Sequence, residues 1–138
     1  MTVSDGGKEY TITFELRPEY LYAYVKGDAD SYDISHAYWS EIAVECAKHQ
    51  VKKLLVDEDL AKPMNSVSEV FQGAAERAFM GLSGLKIAFV DRHPDHQEQN
   101  LFGELVATNR GLFCKVFENL QDAERWLTSE QASPSSAH

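Results

Sequence analysis

The stretch "LKIAFVD", Leu85 to Asp91, determines the architecture that the sequence predicts. Its apolar residues stand at consecutive positions rather than alternating with polar ones, which predicts a strand with both faces covered, as in a parallel sheet packed by helices. A regular helical stripe precedes it, and Gly81 and Gly84 can end that helix. The stripe consists of Val67, Val70, Phe71, Ala74, Ala75, Ala78 and Phe79. This part of the chain therefore predicts an α/β fold.

The segments before this helix are two alternating runs, a helix and a short apolar run. Tyr10 to Leu16 and Tyr20 to Gly27 alternate β-branched and aromatic residues with others, which predicts an antiparallel hairpin. Ser31 to His49 predicts a helix. Its apolar stripe recurs every fourth residue, at Ile34, Tyr38, Ile42 and Cys46. The run "KKLLVDED", Lys52 to Asp59, predicts the third strand.

The segments after "LKIAFVD" repeat the helix-strand pattern. A third helix is predicted from Leu101, Phe102, Leu105 and Val106, followed by the strand "LFCKVF" and a last helix that buries Leu120, Ala123, Trp126 and Leu127. The predicted order is β-β-α-β-α-β-α-β-α. It implies a mixed β-sheet in which an N-terminal β-hairpin precedes βα repeats, with parallel strands joined by right-handed crossovers.

Length and composition predict one domain in a cytoplasmic protein. The chain has 138 residues, 43% of them hydrophobic, so we expect a single domain over 9–128, a flexible N-terminus over 1–8 and a disordered tail over 129–138. A formal net charge of -9 disfavours binding to nucleic acid or to an anionic membrane surface. Cys46 and Cys114 stand among apolar neighbours, which favours reduced thiols. Neither a signal peptide nor a membrane-spanning run is expected.

Two acidic segments at predicted strand ends could carry chemistry. Asp91, His93, Asp95 and His96 include metal-ligand residue types, but Asp95 followed by Glu98 fits a capping box, and we favour a capped, solvated loop. Asp57, Glu58 and Asp59 could form a Mg²⁺ pocket with Asp91 opposite, whereas a solvated, self-repelling loop is the alternative that we favour. No nucleophile elbow, glycine-rich phosphate loop or Cys-x-x-Cys is present, so neither catalytic activity nor a cofactor or metal is expected.

Ser66 begins the second predicted helix. With Glu69 three residues later it fits a capping box, and its hydroxyl at a helix N-terminus would also suit a phosphate. These two interpretations are compatible.

The motifs "GDAD", Gly27 to Asp30, and Asp57 followed nine residues later by Ser66 resemble the STAS family, the SpoIIAA-like domains of anti-sigma-factor antagonists and transporter tails. The similarity covers Tyr10 to Leu127. Asn65 stands where the family has an acid, and Val67 and Ser68 replace a small residue and a glycine. The chain therefore looks like a divergent, stand-alone bacterial member.

The resemblance implies a non-enzymatic regulatory module that binds a protein partner, with Ser66 as the candidate phosphorylation site. The expected binding residues are Asp28, Asp30, Asp57, Asn65, Ser66 and Ser68. The alternative is a small-molecule or lipid-binding protein, or a cryptic enzyme, with a pocket between sheet and helices lined by Tyr22, Tyr24, Trp39 and Phe71. The uncovered edge of the hairpin also favours a homodimer.

Overall fold

The computed structural model describes residues 2–4, 9–64, 66–77 and 80–129, the first three by their backbone only. The strands are β1 (Thr2–Ser4), β2 (Tyr10–Leu16), β3 (Leu21–Ala29), β4 (Lys53–Lys62), β5 (Lys86–Asp91) and β6 (Phe113–Phe117). The helices are α1 (Tyr32–His49), α2 (Val67–Arg77), α3 (Gln97–Asn109) and α4 (Leu120–Leu127). Of the ends predicted to be flexible or disordered, residues 1, 5–8 and 130–138 lie outside the described residues.

The strands form one mixed sheet in which spatial order follows chain order, β1-β2-β3-β4-β5-β6. β2 pairs antiparallel with β3, and β3, β4, β5 and β6 pair in parallel. The predicted order β-β-α-β-α-β-α-β-α is therefore confirmed. The short strand β1 is an addition, and it pairs antiparallel with the outer edge of β2.

The larger core lies between the sheet and the helices α1 to α3. Three successive crossovers move across the sheet in the same direction, and crossovers of one hand then place all three helices on the same face. The predicted stripe of α1 is buried here, together with Trp39. The strands contribute alternate residues, such as Leu54 and Val56 of β4 and Ile87 and Phe89 of β5.

The opposite face is covered by α4 over β4 and β5. Ala123 and Leu127 of the helix pack against Leu55, Ala88, Val90 and Tyr20. Lys86 holds the end of α4, since its ammonium group donates to the Trp126 carbonyl at 2.6 Å and to the Ser129 hydroxyl at 3.1 Å. A cation suits that position because carbonyl oxygens are unpaired at a helix C-terminus.

The buried sides of α3 and α4 differ in part from the prediction. In α3 the buried residues are Gly103, Val106 and Ala107, whereas Leu101 and Leu105 are exposed. The apolar residues do not mark the buried side of α3, because α3 approaches Val70 of α2 through Gly103, a residue without an apolar side chain. In α4, Leu120 is similarly left exposed.

Neither Cys46 nor Cys114 takes part in a disulfide bond, as predicted. Within the described parts of the chain, no helix has the length and apolar character needed to cross a membrane.

Replacement of Gly27 by alanine is expected to destabilise the hairpin. An added Cβ would lie 2.8 Å from the Glu9 carbonyl oxygen and 3.0 Å from Leu60 Cδ2. Because the Glu9 backbone, next to β2, cannot give way cheaply, we expect a loss of about 1–3 kcal/mol in the free energy of unfolding, measured by urea denaturation.

Gly73→Ala is the matched control. Its added Cβ would meet Met64 Cε at 3.6 Å, an ordinary contact, and alanine favours a helix interior by about 0.5–1 kcal/mol. A Gly27→Ala protein as stable as the wild type would contradict the close approach of β2 and β3.

Candidate functional site

Three carboxyl groups lie close together near the ends of β3 and β5 and beside the middle of β4. Asp30 follows β3, Glu58 lies in β4 and Asp91 is the last residue of β5. Glu58 and Asp91 are direct partners in the parallel register, so their side chains project from the same face of the sheet. That face is the one covered by α1 to α3, since Val56 and Leu60, two residues on either side of Glu58, belong to the larger core.

Helix α1 provides the partner of Glu58. The hydroxyl group of the buried Tyr38 donates a hydrogen bond to Glu58 Oε2. Burial raises the pKa of Glu58 well above its usual range, and the nearby Asp30 and Asp91 raise it further. Burial and these neighbours therefore favour the protonated form of Glu58. Burial likewise raises the pKa of Tyr38 well above its usual value.

Asp30 titrates near neutral pH. Burial raises its pKa to about 7, against the lowering effects of the hydrogen bond from the Ser31 amide and of the positive charge of Arg77. The Ser31 N–H donates to Asp30 Oδ1 at 2.8 Å. The Asp30 backbone is fixed as well, since its own N–H donates to the Lys62 carbonyl.

Asp91 organises the loop that follows β5. Its carboxylate accepts hydrogen bonds from the His93 amide at 2.9 Å and from the Asn100 side chain at 2.9 Å, and it lies 3.0 Å from His96 Nδ1. The ring of His96 is buried and stacks on that of His93, with 5.2 Å between centroids.

The prediction of a solvated loop capped by Asp95 and Glu98 is wrong. Pro94 opens a single 3-10 turn, Pro94–His96, so α3 begins at Gln97 without a side-chain cap, and Asp95 is exposed. The Asp91 carboxylate, rather than Asp95, bonds to the polar groups of this loop. Even so, the described residues contain no group of three or more His, Cys, Asp or Glu side chains that could hold a metal ion.

A polar cavity of about 50 Å³ lies beside these carboxyl groups, between the sheet and α1 to α3. Its lining includes polar groups from β4, from the three helices and from the residue after β3, among them Asp30, Ser35, Tyr38, Glu58, Arg77 and Glu104. The cavity lies at the carboxyl ends of the parallel strands, the position at which α/β sheets usually bind ligands.

The prediction that Asp57 to Asp59 form a solvated, self-repelling loop is also wrong. These residues lie inside β4, and alternation sends Asp57 and Asp59 to the face opposite Glu58. Asp57 is fully buried; it accepts two hydrogen bonds from the Arg92 guanidinium, at 2.9 and 2.7 Å, and one from the Tyr22 hydroxyl. Partners from other elements thus remove the repulsion that the local sequence suggests.

Asp59 is satisfied in the same way. It accepts a hydrogen bond from the Tyr24 hydroxyl at 2.8 Å and lies 2.9 Å from His93 Nε2. The hydrogen bond from Tyr24 and the neighbouring His93 hold the pKa of Asp59 below its usual value.

The residues predicted for binding do not form one cluster. Asp30 lines the cavity, Asp57 lies on the opposite face of the sheet, and Asp28 is exposed near the end of β3. Ser66 and Ser68 are exposed at the start of α2. Asn65 lies outside the described residues.

The capping box predicted at Ser66 is half present. The Glu69 amide donates to the Ser66 hydroxyl at 3.2 Å, as predicted. The Glu69 carboxylate, however, accepts the N–H of Tyr32 at 2.9 Å, so it caps the neighbouring helix α1 rather than returning to Ser66.

The aromatic pocket considered as an alternative is not assembled. Tyr22 and Tyr24 lie on the face of Asp57, Phe71 is exposed, and of the four aromatic residues Trp39 alone lines the polar cavity.

The sequence pattern did not identify Tyr38 as a residue of the site, because its position in the apolar stripe of α1 indicated a core residue. Arg77 was missed too, although it follows Val70 by seven residues and so stands, as a charged side chain, on the buried side of α2.

A scan against protein-family models and a search of curated protein sequences found no match to this chain. The mixed α/β fold therefore stands on the structure alone.

Asp30→Asn is expected to change how stability depends on pH. A carboxyl pKa raised from 3.8 to about 7 means that the folded state binds the proton more tightly than the unfolded chain. The stabilising contribution is fully present below the unfolded pKa and is lost as pH rises through about 7. The variant lacks this loss, so its stability relative to the wild type should increase between about pH 4 and about pH 7.

Urea unfolding at several pH values measures this difference. Asp28→Asn, an exposed carboxylate two residues earlier, controls for the change in net charge. A pH profile of Asp30→Asn that runs parallel to the wild type would contradict the raised pKa of Asp30.

Proposed function

We propose that this chain is a non-enzymatic, STAS-like regulatory module that binds a partner protein through the exposed side of α2 and α3. Phosphorylation of Ser66 modulates that binding. The proposal joins the resemblance to STAS domains with one observation, the apolar surface that these two helices present to solvent.

Two pairs of large apolar side chains are exposed on these helices, and we call the two pairs together the α2–α3 surface. Val67 and Phe71 of α2 are 65% and 44% exposed, and Leu101 and Leu105 of α3 are 48% and 56% exposed. Each pair is spaced i, i+4 and so lies on one side of its helix. The two helices pack against each other. Paired exposed apolar side chains offer more to an interaction site than an isolated exposed leucine does.

The position of Ser66 and Ser68 supports control of this surface. Both serines are exposed and flank Val67 in the first turn of α2. A phosphate on Ser66 would be favoured by the helix dipole and would place charge at the edge of the apolar surface.

The size of the polar cavity supports recognition at a surface over an enclosed lipid or cofactor site. Its volume is about 50 Å³, whereas pockets for drug-sized ligands measure roughly 300–1,000 Å³. The carboxyl groups beside it are engaged with tyrosine, histidine and amide partners rather than with a nucleophile.

The double variant Phe71→Ser, Leu105→Ser is expected to weaken partner binding by about tenfold or more, because apolar residues at the centre of an interface dominate its affinity. Its stability should change little, since both side chains are exposed. The measurement is quantitative mass spectrometry of proteins cross-linked to the tagged chain in its native cell, followed by affinity measurement with the purified partner.

Val44→Ser is the matched control, because Val44 is 66% exposed but lies on α1. Equal recovery of the same partner by all three proteins would contradict the proposal. So would turnover in a panel of hydrolase and phosphatase assays that is lost in Asp57→Asn or His93→Gln. Light scattering measures the mass of the purified protein, and a dimer mass would show that the surface binds a second copy of the chain instead of a different protein.

Ser66→Asp is expected to lower affinity for the partner while leaving stability unchanged, because aspartate is a good helix cap and adds charge beside Val67. Ser66→Ala should keep the affinity and lose about 0.5–1 kcal/mol of stability with the cap. Titration calorimetry and urea unfolding measure the two effects. Equal affinities for both variants would remove the regulatory role of Ser66.

A further inference from the structure

Arg77 makes no hydrogen bond or ion pair in the described part of the chain. Its guanidinium carbon lies 4.7 Å from the ring centroid of the buried Trp39, so the side chain turns inward from the last turn of α2. No described acceptor lies within hydrogen-bonding distance of its nitrogens, and Nε is shielded from solvent as well. An arginine remains charged in any protein environment, so this arrangement forgoes strong charge-assisted hydrogen bonds.

The carboxyl groups that share the cavity with Arg77 are engaged elsewhere. Glu58 accepts from Tyr38, Asp30 accepts from the Ser31 amide, and Glu104 accepts from the Val116 amide at 2.6 Å. The guanidinium therefore faces the polar cavity rather than a carboxylate of the protein.

We infer that this cavity binds a small carboxylate, held by the guanidinium of Arg77. A planar guanidinium presents parallel N–H donors that match the two oxygens of a carboxylate. The hydroxyl-bearing Ser35 lines the same cavity and is buried. A volume of about 50 Å³ holds roughly four water-sized groups, which is the size of formate or acetate. This inference does not depend on the α2–α3 surface.

The protonation of the neighbouring acids makes the site compatible with an anion. Burial raises the pKa of Glu58 well above its usual range and that of Asp30 to about 7, so the charge that opposes an anion is reduced at neutral pH. Four charged or titratable groups face Asp30 from other elements. They are Arg77 of α2, Glu58 of β4, Asp91 of β5 and His96 of the turn after β5. Affinity for the carboxylate is therefore expected to rise as pH falls through about 7.

The experiment is an NMR titration of the full chain with sodium acetate, against sodium chloride at equal ionic strength. The signals followed are the Nε–H of Arg77 and the indole N–H of Trp39. Acetate should give saturable shifts that chloride does not give. Arg77→Gln should weaken acetate binding by about tenfold or more, since it removes a charge-assisted pair. Arg125→Gln, an exposed arginine on α4, should bind as the wild type does.

Gly103→Ala tests the same site without removing the charge. Its Cβ would lie 3.7 Å from Val70 Cγ1 and 4.0 Å from Arg77 Nη2, which are ordinary contacts, so the variant should fold. Because the added methyl group takes space beside the guanidinium, acetate binding should weaken by about threefold or more. Butyrate, with two more carbons, should bind the wild type more weakly than acetate.

Shifts that do not saturate, or equal shifts with chloride, would overturn the inference and leave a cavity that holds water. Unchanged acetate affinity in Gly103→Ala would overturn it too, even if Arg77→Gln failed to fold. Butyrate binding as tightly as acetate would contradict the assignment of the ligand to this volume.

Discussion

Both faces of β4 are covered, and the alternation of its side chains determines what each neighbouring element must supply. Leu54, Val56 and Leu60 face the core under α1 to α3, and Leu55 faces the core under α4. The strand then continues through Asp57 to Asp59 without leaving the sheet. A strand with three consecutive acids can stay between two layers only if each carboxyl group receives a partner or a proton.

Tyrosine hydroxyl groups supply a hydrogen-bond donor to each of these three carboxyl groups. Tyr22 and Tyr24 of β3 bond to Asp57 and Asp59, in each case a residue two positions beyond the one directly opposite in the register. Such diagonal contacts across a sheet are within reach of long side chains. Glu58, on the other face, bonds to Tyr38 of α1. A tyrosine supplies a donor without a positive charge, which suits Glu58, whose pKa is raised by burial, whereas Asp57 is also paired with the charge of Arg92.

The fold was predictable from hydrophobic pattern because the apolar runs and stripes are local features. The stripe of α1 and the consecutive apolar residues of β5 each indicated a structure that neighbouring residues in the chain determine. The site was not predictable in the same way. The partners of Asp57, Tyr22 of β3 and Arg92 after β5, each lie 35 residues away in the chain, so the acidic run resembled a solvated loop. Periodicity also located the stripes of α2 and α3 without showing which of their residues a neighbouring helix would cover.

The strictly sequential order of the strands has a consequence for how the chain folds during synthesis. Each strand pairs with the strand made just before it, so the sheet can extend by one unit at a time as the polypeptide emerges, without waiting for a distant segment. The exception is α4, which follows the sixth strand in the chain and returns across the sheet to cover Tyr20 and Leu55. Until it does so, that face of the nascent sheet presents apolar surface to the cell, which makes the last helix the step at which chaperones would matter most.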